Sequence, residues 1–211
     1  SAGQFQDHDG EFHFCAGVDG SDLTPPSLML TAYTVQGFAF LRALGYEIPA
    51  QIDQRAREAL AGRFDSKQEE SAVDTKLFQS EEFVLAAAAI GTDVALPANT
   101  LNAMWDGRDR LSWYGRANLA RVMAAQPRPQ AQREGQLQRL LAELRLAGRK
   151  QGMARSIAEK REPGWPFQSR ILDQCGVLGA LKSLDHSGDA RAVRDEYLRG
   201  LADLYAGGAV T

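Results

Sequence analysis

The chain alternates between helices that are apolar on nearly every side and helices with a single apolar stripe. Leu28 to Leu44 carries Leu28, Leu30, Tyr33, Val35, Phe38, Phe40, Leu41 and Leu44, a spread wider than one face, which predicts a helix buried on most sides. Gly45 offers a left-handed stop and Pro49 a preset first turn for a second helix over about 49–63, with Ile52, Ala56, Ala59 and Leu60 on one face. Beyond the polar stretch 65–74, a helix rich in Phe78, Phe83, Val84, Leu85 and Ile90 runs to Gly91. A shorter one after Pro97 holds Leu101, Met104 and Trp105. Leu111 to Ala125 is again strongly apolar and stops at Pro127 and Pro129. Its successor over about 131–147 places Leu137, Leu140, Leu141 and Leu144 at amphipathic spacing. Gly148 and Gly152 read as part of a polar link, Ile171 to Leu184 as a buried helix, and the last helix aligns Val193, Tyr197, Leu201 and Leu204.

Strand-like alternation is absent from this reading, and short Gly/Pro connections between consecutive helices imply antiparallel neighbours. The predicted fold class is all-α: antiparallel helical hairpins with inner and outer helices, forming an α/α toroid, partial or complete, as a single domain over 1–211. A straight solenoid of hairpins is the rival, because periodicity does not say whether an array closes.

A repeat runs through the pattern. Asp9-Gly10-Glu11-Phe12-His13-Phe14 precedes the first buried helix, and Glu162-Pro163-Gly164-Trp165-Pro166-Phe167 precedes Ile171 to Leu184. Setting Leu30-Thr31-Ala32-Tyr33-Thr34-Val35-Gln36-Gly37 against Leu172-Asp173-Gln174-Cys175-Gly176-Val177-Leu178-Gly179 brings a valine and a glycine into register. The two aromatic turns are expected to seal one end of the array and launch these helices inward.

Composition narrows the partners. With 211 residues, 44% hydrophobic and 24% charged, the chain is long enough for a sizeable core and too apolar for disorder. A net charge of −3, with basic and acidic residues interspersed, gives no electrostatic reason for nucleic acid or an anionic membrane as partner. Every apolar run is interrupted short of a membrane span, so no direct membrane insertion is expected of this segment, and no secretory signal opens it. The abrupt start at Ser1-Ala2-Gly3 reads as a processed or excised piece of something longer.

Candidate chemistry is sparse. Asp7, His8, Asp9, Glu11, His13 and Cys15 form the densest polar cluster, but their spacing fits no calcium loop or zinc motif, and a solvated turn with aromatic anchors is the simpler reading. No nucleophile-elbow, metalloprotease, phosphate-loop or dinucleotide motif occurs. His186 reads as an exposed turn residue, and Glu69-Glu70 and Glu81-Glu82 as solvated faces. Trp105, Trp113 and Trp165 suit core anchoring better than a carbohydrate cleft. Arg108-Asp109-Arg110 and Arg116 are candidates for ion pairs. Cys15 and Cys175 have no nearby second cysteine; a bridge between them and two free thiols both remain open. No catalytic, cofactor-binding or metal-ligating residue and no cofactor is assigned.

Taken together, Asp9-Gly10-Glu11-Phe12, Leu30-Thr31-Ala32-Tyr33, Leu44-Gly45-Tyr46-Glu47-Ile48-Pro49, Leu111-Ser112-Trp113-Tyr114-Gly115-Arg116-Ala117 and Gly164-Trp165 resemble, in order and spacing over nearly the whole chain, the thioester-type domain of bacterial α2-macroglobulins. The resemblance implies an α/α toroid within a large periplasmic protease trap, with no catalysis of its own. A protease cuts a bait region elsewhere, the molecule rearranges and the protease is caught. It implies host or foreign proteases as partners of the full-length protein, together with other domains of the same chain. Thioester-bearing members carry Cys-x-Glu-Gln, whereas here Cys15 is followed by Ala16-Gly17-Val18 and Cys175 by Gly176-Val177-Leu178, so neither cysteine receives the reactive role. Either the motif lies upstream of this segment or the parent restrains proteases noncovalently. A toroidal enzyme of glycosidase, lyase or terpene-cyclase type and a helical-repeat scaffold are the alternatives.

Overall fold

The computed structural model describes residues 2–14, 26–64, 76–126, 131–157 and 169–208. Among them are eight α-helices and one short β-hairpin, an all-α fold. The helices are α1 Leu28–Ala43, α2 Ala50–Gly62, α3 Glu81–Ile90, α4 Ala98–Gly107, α5 Trp113–Ala125, α6 Ala131–Leu146, α7 Arg170–Leu184 and α8 Ala190–Gly208. They fall into two compact units, Ser1–Gly107 and Arg108–Thr211. The second aromatic turn with Trp165, and also Cys15 and Glu69-Glu70, lie outside the described residues.

In the first unit α1 packs on both α2 and α3, while α4 packs chiefly on a 3-10 turn at Leu77–Gln79. Phe78 belongs to that turn rather than to α3, because Ser80 is extended and the helix starts only at Glu81. Glu81 and Glu82 thus occupy the first turn of α3, where the positive end of the helix dipole favours carboxylates. Phe64, Phe78 and Phe83 form an aromatic cluster with ring centroids 5.3 to 6.2 Å apart.

The expectation that α1 is buried on most sides does not hold. Met29, Thr31, Ala32, Val35 and Phe38 are buried, a single stripe at three- and four-residue spacing. Phe40, Leu44 and Tyr46 are all about 60% exposed, at 64%, 59% and 62%, and Tyr33 is at 39%. An all-round apolar sequence shows which faces are able to be buried; the neighbouring helices decide which one is.

In the second unit α5 packs most extensively on α7, with α6 against α5 and α8 against α7. The segment read as a polar link contains antiparallel strands β1 Arg149–Gln151 and β2 Ala154–Ser156. Their two-residue loop opens on Gly152 at φ 61°, the positive φ that tight hairpin loops require. Three-residue strands are too short for alternation to be legible. Gln174, fully buried, fixes the hairpin to the helices. Its Nε2 donates to the Arg155 carbonyl at 2.6 Å and the Tyr197 carbonyl at 2.9 Å, and its Oε1 accepts from Ile157 N at 3.1 Å. The hydroxyl of buried Tyr197 lies 2.6 Å from the Leu144 carbonyl and 2.7 Å from that of Ala147, at the end of α6.

The repeat register is visible in the helix starts. Ser27 Oγ accepts from Leu30 N at 3.2 Å and Ser169 Oγ from Leu172 N at 3.0 Å, each capping its helix three residues before the aligned leucine. Four residues after each cap stands a buried polar side chain, Thr31 in α1 and Asp173 in α7. Val35 and Val177 are both fully buried.

Truncating Tyr197 to Phe removes the one proton shared by the two carbonyls, leaving Leu144 O with only the long contact from Ala147 N at 3.3 Å, and should cost about 1–2 kcal/mol. Urea unfolding of wild type and variant measures it, and equal midpoints would show that the hydroxyl contributes nothing.

Candidate functional site

The polar cluster of the amino-terminal segment divides into three parts with different partners. Asp7 faces inward: Oδ2 lies 2.9 Å from His13 Nε2 and Oδ1 accepts from Glu11 N at 2.9 Å. The Asp7 carbonyl accepts from Gly10 N at 3.3 Å and from the Arg55 guanidinium. Burial works to raise the Asp7 pKa, but His13 and the N–H groups of Glu11 and Gly10 outweigh it and hold the carboxyl below its ordinary value. Glu11, buried, is gripped by Arg63, whose Nε donates to Oε1 at 3.1 Å. His8 and Asp9 pair with each other at 3.2 Å in solvent. The ligand-type residues therefore do not converge, and no group of three able to hold a metal ion occurs among the described residues.

This segment is a strap across α1 and α2. Gln6 Nε2 donates to the Ile52 carbonyl at 2.9 Å, and Phe12 N donates to Thr31 Oγ1 at 2.8 Å. Phe12 is buried edge-on to Phe38 with centroids 6.1 Å apart. Gly10, at φ 94°, presses on the Arg55 carbonyl where any Cβ would collide. Beside the strap, Phe5, Phe12, His13, Phe14, Leu30 and Thr34 line a largely apolar hollow of about 300 Å³. The Asp7–His13 pair resembles two-thirds of a triad, yet the nearby Thr31 hydroxyl is committed, donating to the Ser27 carbonyl at 2.9 Å while accepting from Phe12 N. The arrangement anchors a chain segment.

The other buried carboxylates are likewise engaged. Asp53 Oδ2 accepts from Arg42 at 2.6 Å and Arg57 at 3.0 Å, and Arg57 also reaches Asp93 at 3.0 Å, on the wall of an open groove of about 450 Å³. Asp173 Oδ1 accepts from Tyr114 N at 2.8 Å; burial pushes its pKa up against the pull of that N–H and of Ser112. Asp185 sits in a two-point clasp with Arg145, at 2.7 and 2.6 Å, which holds its carboxyl down to about 2. Glu196 is held low by Lys150 and, against the effect of burial, also by Arg155.

His186 is exposed just beyond Asp185, as expected. Arg116 bridges Asp109 at 3.9 Å and Glu143 at 3.4 Å and lies over the Trp113 ring at 4.8 Å. Arg108 pairs with Asp109 at 3.7 Å. Trp105 and Trp113 are half-buried. Cys175 is exposed on α7. Sequence reasoning missed the arginine clasps on Glu11, Asp53 and Asp185; Arg63 and Arg145 are remote in sequence and leave no local signal, whereas Arg57 stands four residues from Asp53 on the same helix and was there to be read.

These observations define an all-α protein in which the buried carboxylates Glu11, Asp53, Asp173 and Asp185 are held by arginines or backbone N–H groups. Solved structures with a similar fold are bacterial alpha-2-macroglobulins. With Salmonella alpha-2-macroglobulin reacted with methylamine the TM-score is 0.63 at 18% identity, over 98% of this chain and 12% of that one. With Escherichia coli alpha-2-macroglobulin activated by porcine elastase it is 0.62 at 19% identity, over 97% of this chain and 17% of that one. For native E. coli alpha-2-macroglobulin from domain MG7 to the C-terminus it is 0.59 at 17% identity, over 94% and 29%. The chain thus spans less than a third of each of these, and at such identities the likeness is one of fold. No protein-family model and no curated protein matches it. No described helix is long and apolar enough to cross a membrane.

The Asp185 carboxyl titrates lower in the folded chain than its ordinary value near 3.8, so its stabilisation is present above about pH 4 and is lost as pH falls toward 2. Asp185→Asn should therefore lower stability at pH 7 by on the order of 2 kcal/mol and flatten the acid limb of the profile. Urea midpoints across that range test this; parallel profiles for wild type and variant would overturn it.

Proposed function

We propose that this chain is a structural domain of a bacterial alpha-2-macroglobulin-like protease trap, corresponding to the thioester-type α/α toroid and acting without catalysis of its own. The observation that carries the reading is the fold likeness to Salmonella and E. coli alpha-2-macroglobulins over at least 94% of the chain. It agrees with the resemblance read from Asp9-Gly10-Glu11-Phe12 and the segments downstream, which rests on residues rather than on coordinates. The engagement of Glu11, Asp53, Asp173 and Asp185 by arginines or backbone N–H groups supports a non-catalytic role, since an acid/base pair needs carboxylates free to exchange protons with a substrate. In this reading the domain works in the periplasm as part of a longer chain, its partners being proteases and the other domains of that chain. Neither Cys15 nor Cys175 carries a thioester.

The test uses the parent protein containing this segment, mixed with porcine elastase. A trap leaves the enzyme active on a small chromogenic peptide while blocking its digestion of a large protein substrate, and the two proteins co-migrate on a native gel. Undiminished digestion of the large substrate would remove the proposal.

A further inference from the structure

Opposite its buried stripe, α1 carries a second apolar stripe. Leu30, Tyr33, Gly37, Phe40 and Leu44 follow one another at alternating three- and four-residue spacing, the pattern by which one helix seats another. Tyr33, Phe40 and Leu44 are exposed. Arg42 is the only charged residue of α1, and helical spacing puts it on the other side, where it pairs with Asp53 of α2. The seam therefore runs without charge for about four turns. An exposed apolar strip of this kind marks a surface for another chain, and the absence of charge narrows what that chain can be, since a charged side chain laid on it would lose water and find no counter-charge.

The seam complements itself. Gly37 leaves a gap, with no atom within 4 Å of where a Cβ would stand, and exposed Phe40 follows one turn later. An antiparallel pair of α1 helices registered with Gly37 against the partner's Phe40 repeats that contact by symmetry and sets Tyr33 against the partner's Leu44. The two ends match as well. At the amino end Leu30 also lines the apolar hollow of about 300 Å³ beside the strap, and just past the carboxyl end stands exposed Tyr46, which antiparallel pairing brings level with the partner's hollow. Charge agrees with this setting: the first turn of α1 holds no acidic residue, and exposed Glu47 beyond its last turn comes to the positive end of the other helix dipole. A parallel pair would set Gly37 on Gly37, leaving the gap empty, and Glu47 beside Glu47. We propose that the outward face of α1 is a self-association surface whose occupant is a second copy of this chain, seated antiparallel with Phe40 of each copy over Gly37 of the other. The surface stands whether or not the chain belongs to a protease trap.

Sedimentation equilibrium of the full chain from about 1 to about 500 μM reads the monomer–dimer balance. Wild type is expected to dimerise reversibly. Phe40→Asp should weaken the dimer at least about a hundredfold, since each pair buries the ring twice. Gly37→Leu separates a seated helix pair from general stickiness. It adds apolar surface and would strengthen unspecific association, but it fills the gap that receives Phe40 and should weaken the seated pair at least about tenfold. Its Cβ meets open space in the single chain, and leucine favours helix over glycine, so this variant keeps its fold, as circular dichroism checks. Glu47→Gln should weaken the dimer about threefold at low salt and leave it unchanged at high salt. A chain that stays monomeric across the range, a dimer strengthened by Gly37→Leu, or one indifferent to both Gly37→Leu and Phe40→Asp would each overturn the proposal, and indifference to Glu47→Gln at low salt would exclude the antiparallel setting.

Discussion

A backbone N–H taken out of water must find an acceptor, and both units meet that demand with the same device. A serine caps the central helix, and a polar side chain four residues on receives an N–H from a neighbouring segment. In the first unit Thr31 takes the N–H of Phe12 from the strap; in the second Asp173 takes that of Tyr114 at the start of α5. These acceptors help to set the register of each segment on its helix and with it the apolar contacts around Phe12 and Tyr114. The two solutions differ in pH response. Thr31 does not titrate, whereas burial raises the Asp173 pKa, so the folded second unit favours the protonated acid and loses that advantage as pH rises through the folded value.

Charge pairs then tie distant pieces of chain to the frame. Arg63 on Glu11, Arg145 on Asp185, and Lys150 with Arg155 on Glu196 each join segments more than a helix apart in sequence. In the Arg63 and Arg145 pairs the carboxylate is buried and the cation reaches solvent, which spares the guanidinium most of its desolvation cost while the acid is satisfied by direct donors. Their effect is mainly positional: they decide where the strap and the α6–α7 contact sit, after hydrophobic burial has decided that they pack at all.

What was legible follows from the range of the signal. Helices α1, α2, α5, α6 and α7 lie within about two residues of where periodicity and Gly/Pro punctuation put them, because those signals are local. Their class, all-α, follows directly. The capping register was half visible, since Thr31 and Asp173 fell in line but nothing said what they would accept. The β-hairpin carried one cue, a glycine opening a two-residue loop, too weak beside strands of three residues. The side chains gripping Asp53, Asp185 and Glu11 lie 4 to 52 residues away from them, and only the folded chain brings the distant ones together.

The α1 and α7 helices also separate what the fold demands from what it leaves free. Inward positions match in burial, whether apolar, Val35 with Val177 and Phe38 with Ala180, or polar, Thr31 with Asp173. Outward positions diverge in chemistry: exposed Tyr33 and Phe40 correspond to Cys175 and Lys182. The aligned glycines diverge too, for Gly37 has open space where its Cβ would be, whereas Gly179 receives Arg121. The chemistry that distinguishes the two helices therefore lies on their outward faces, aromatic on α1 and small or polar on α7, where the absence of a side chain at Gly179 makes room for Arg121.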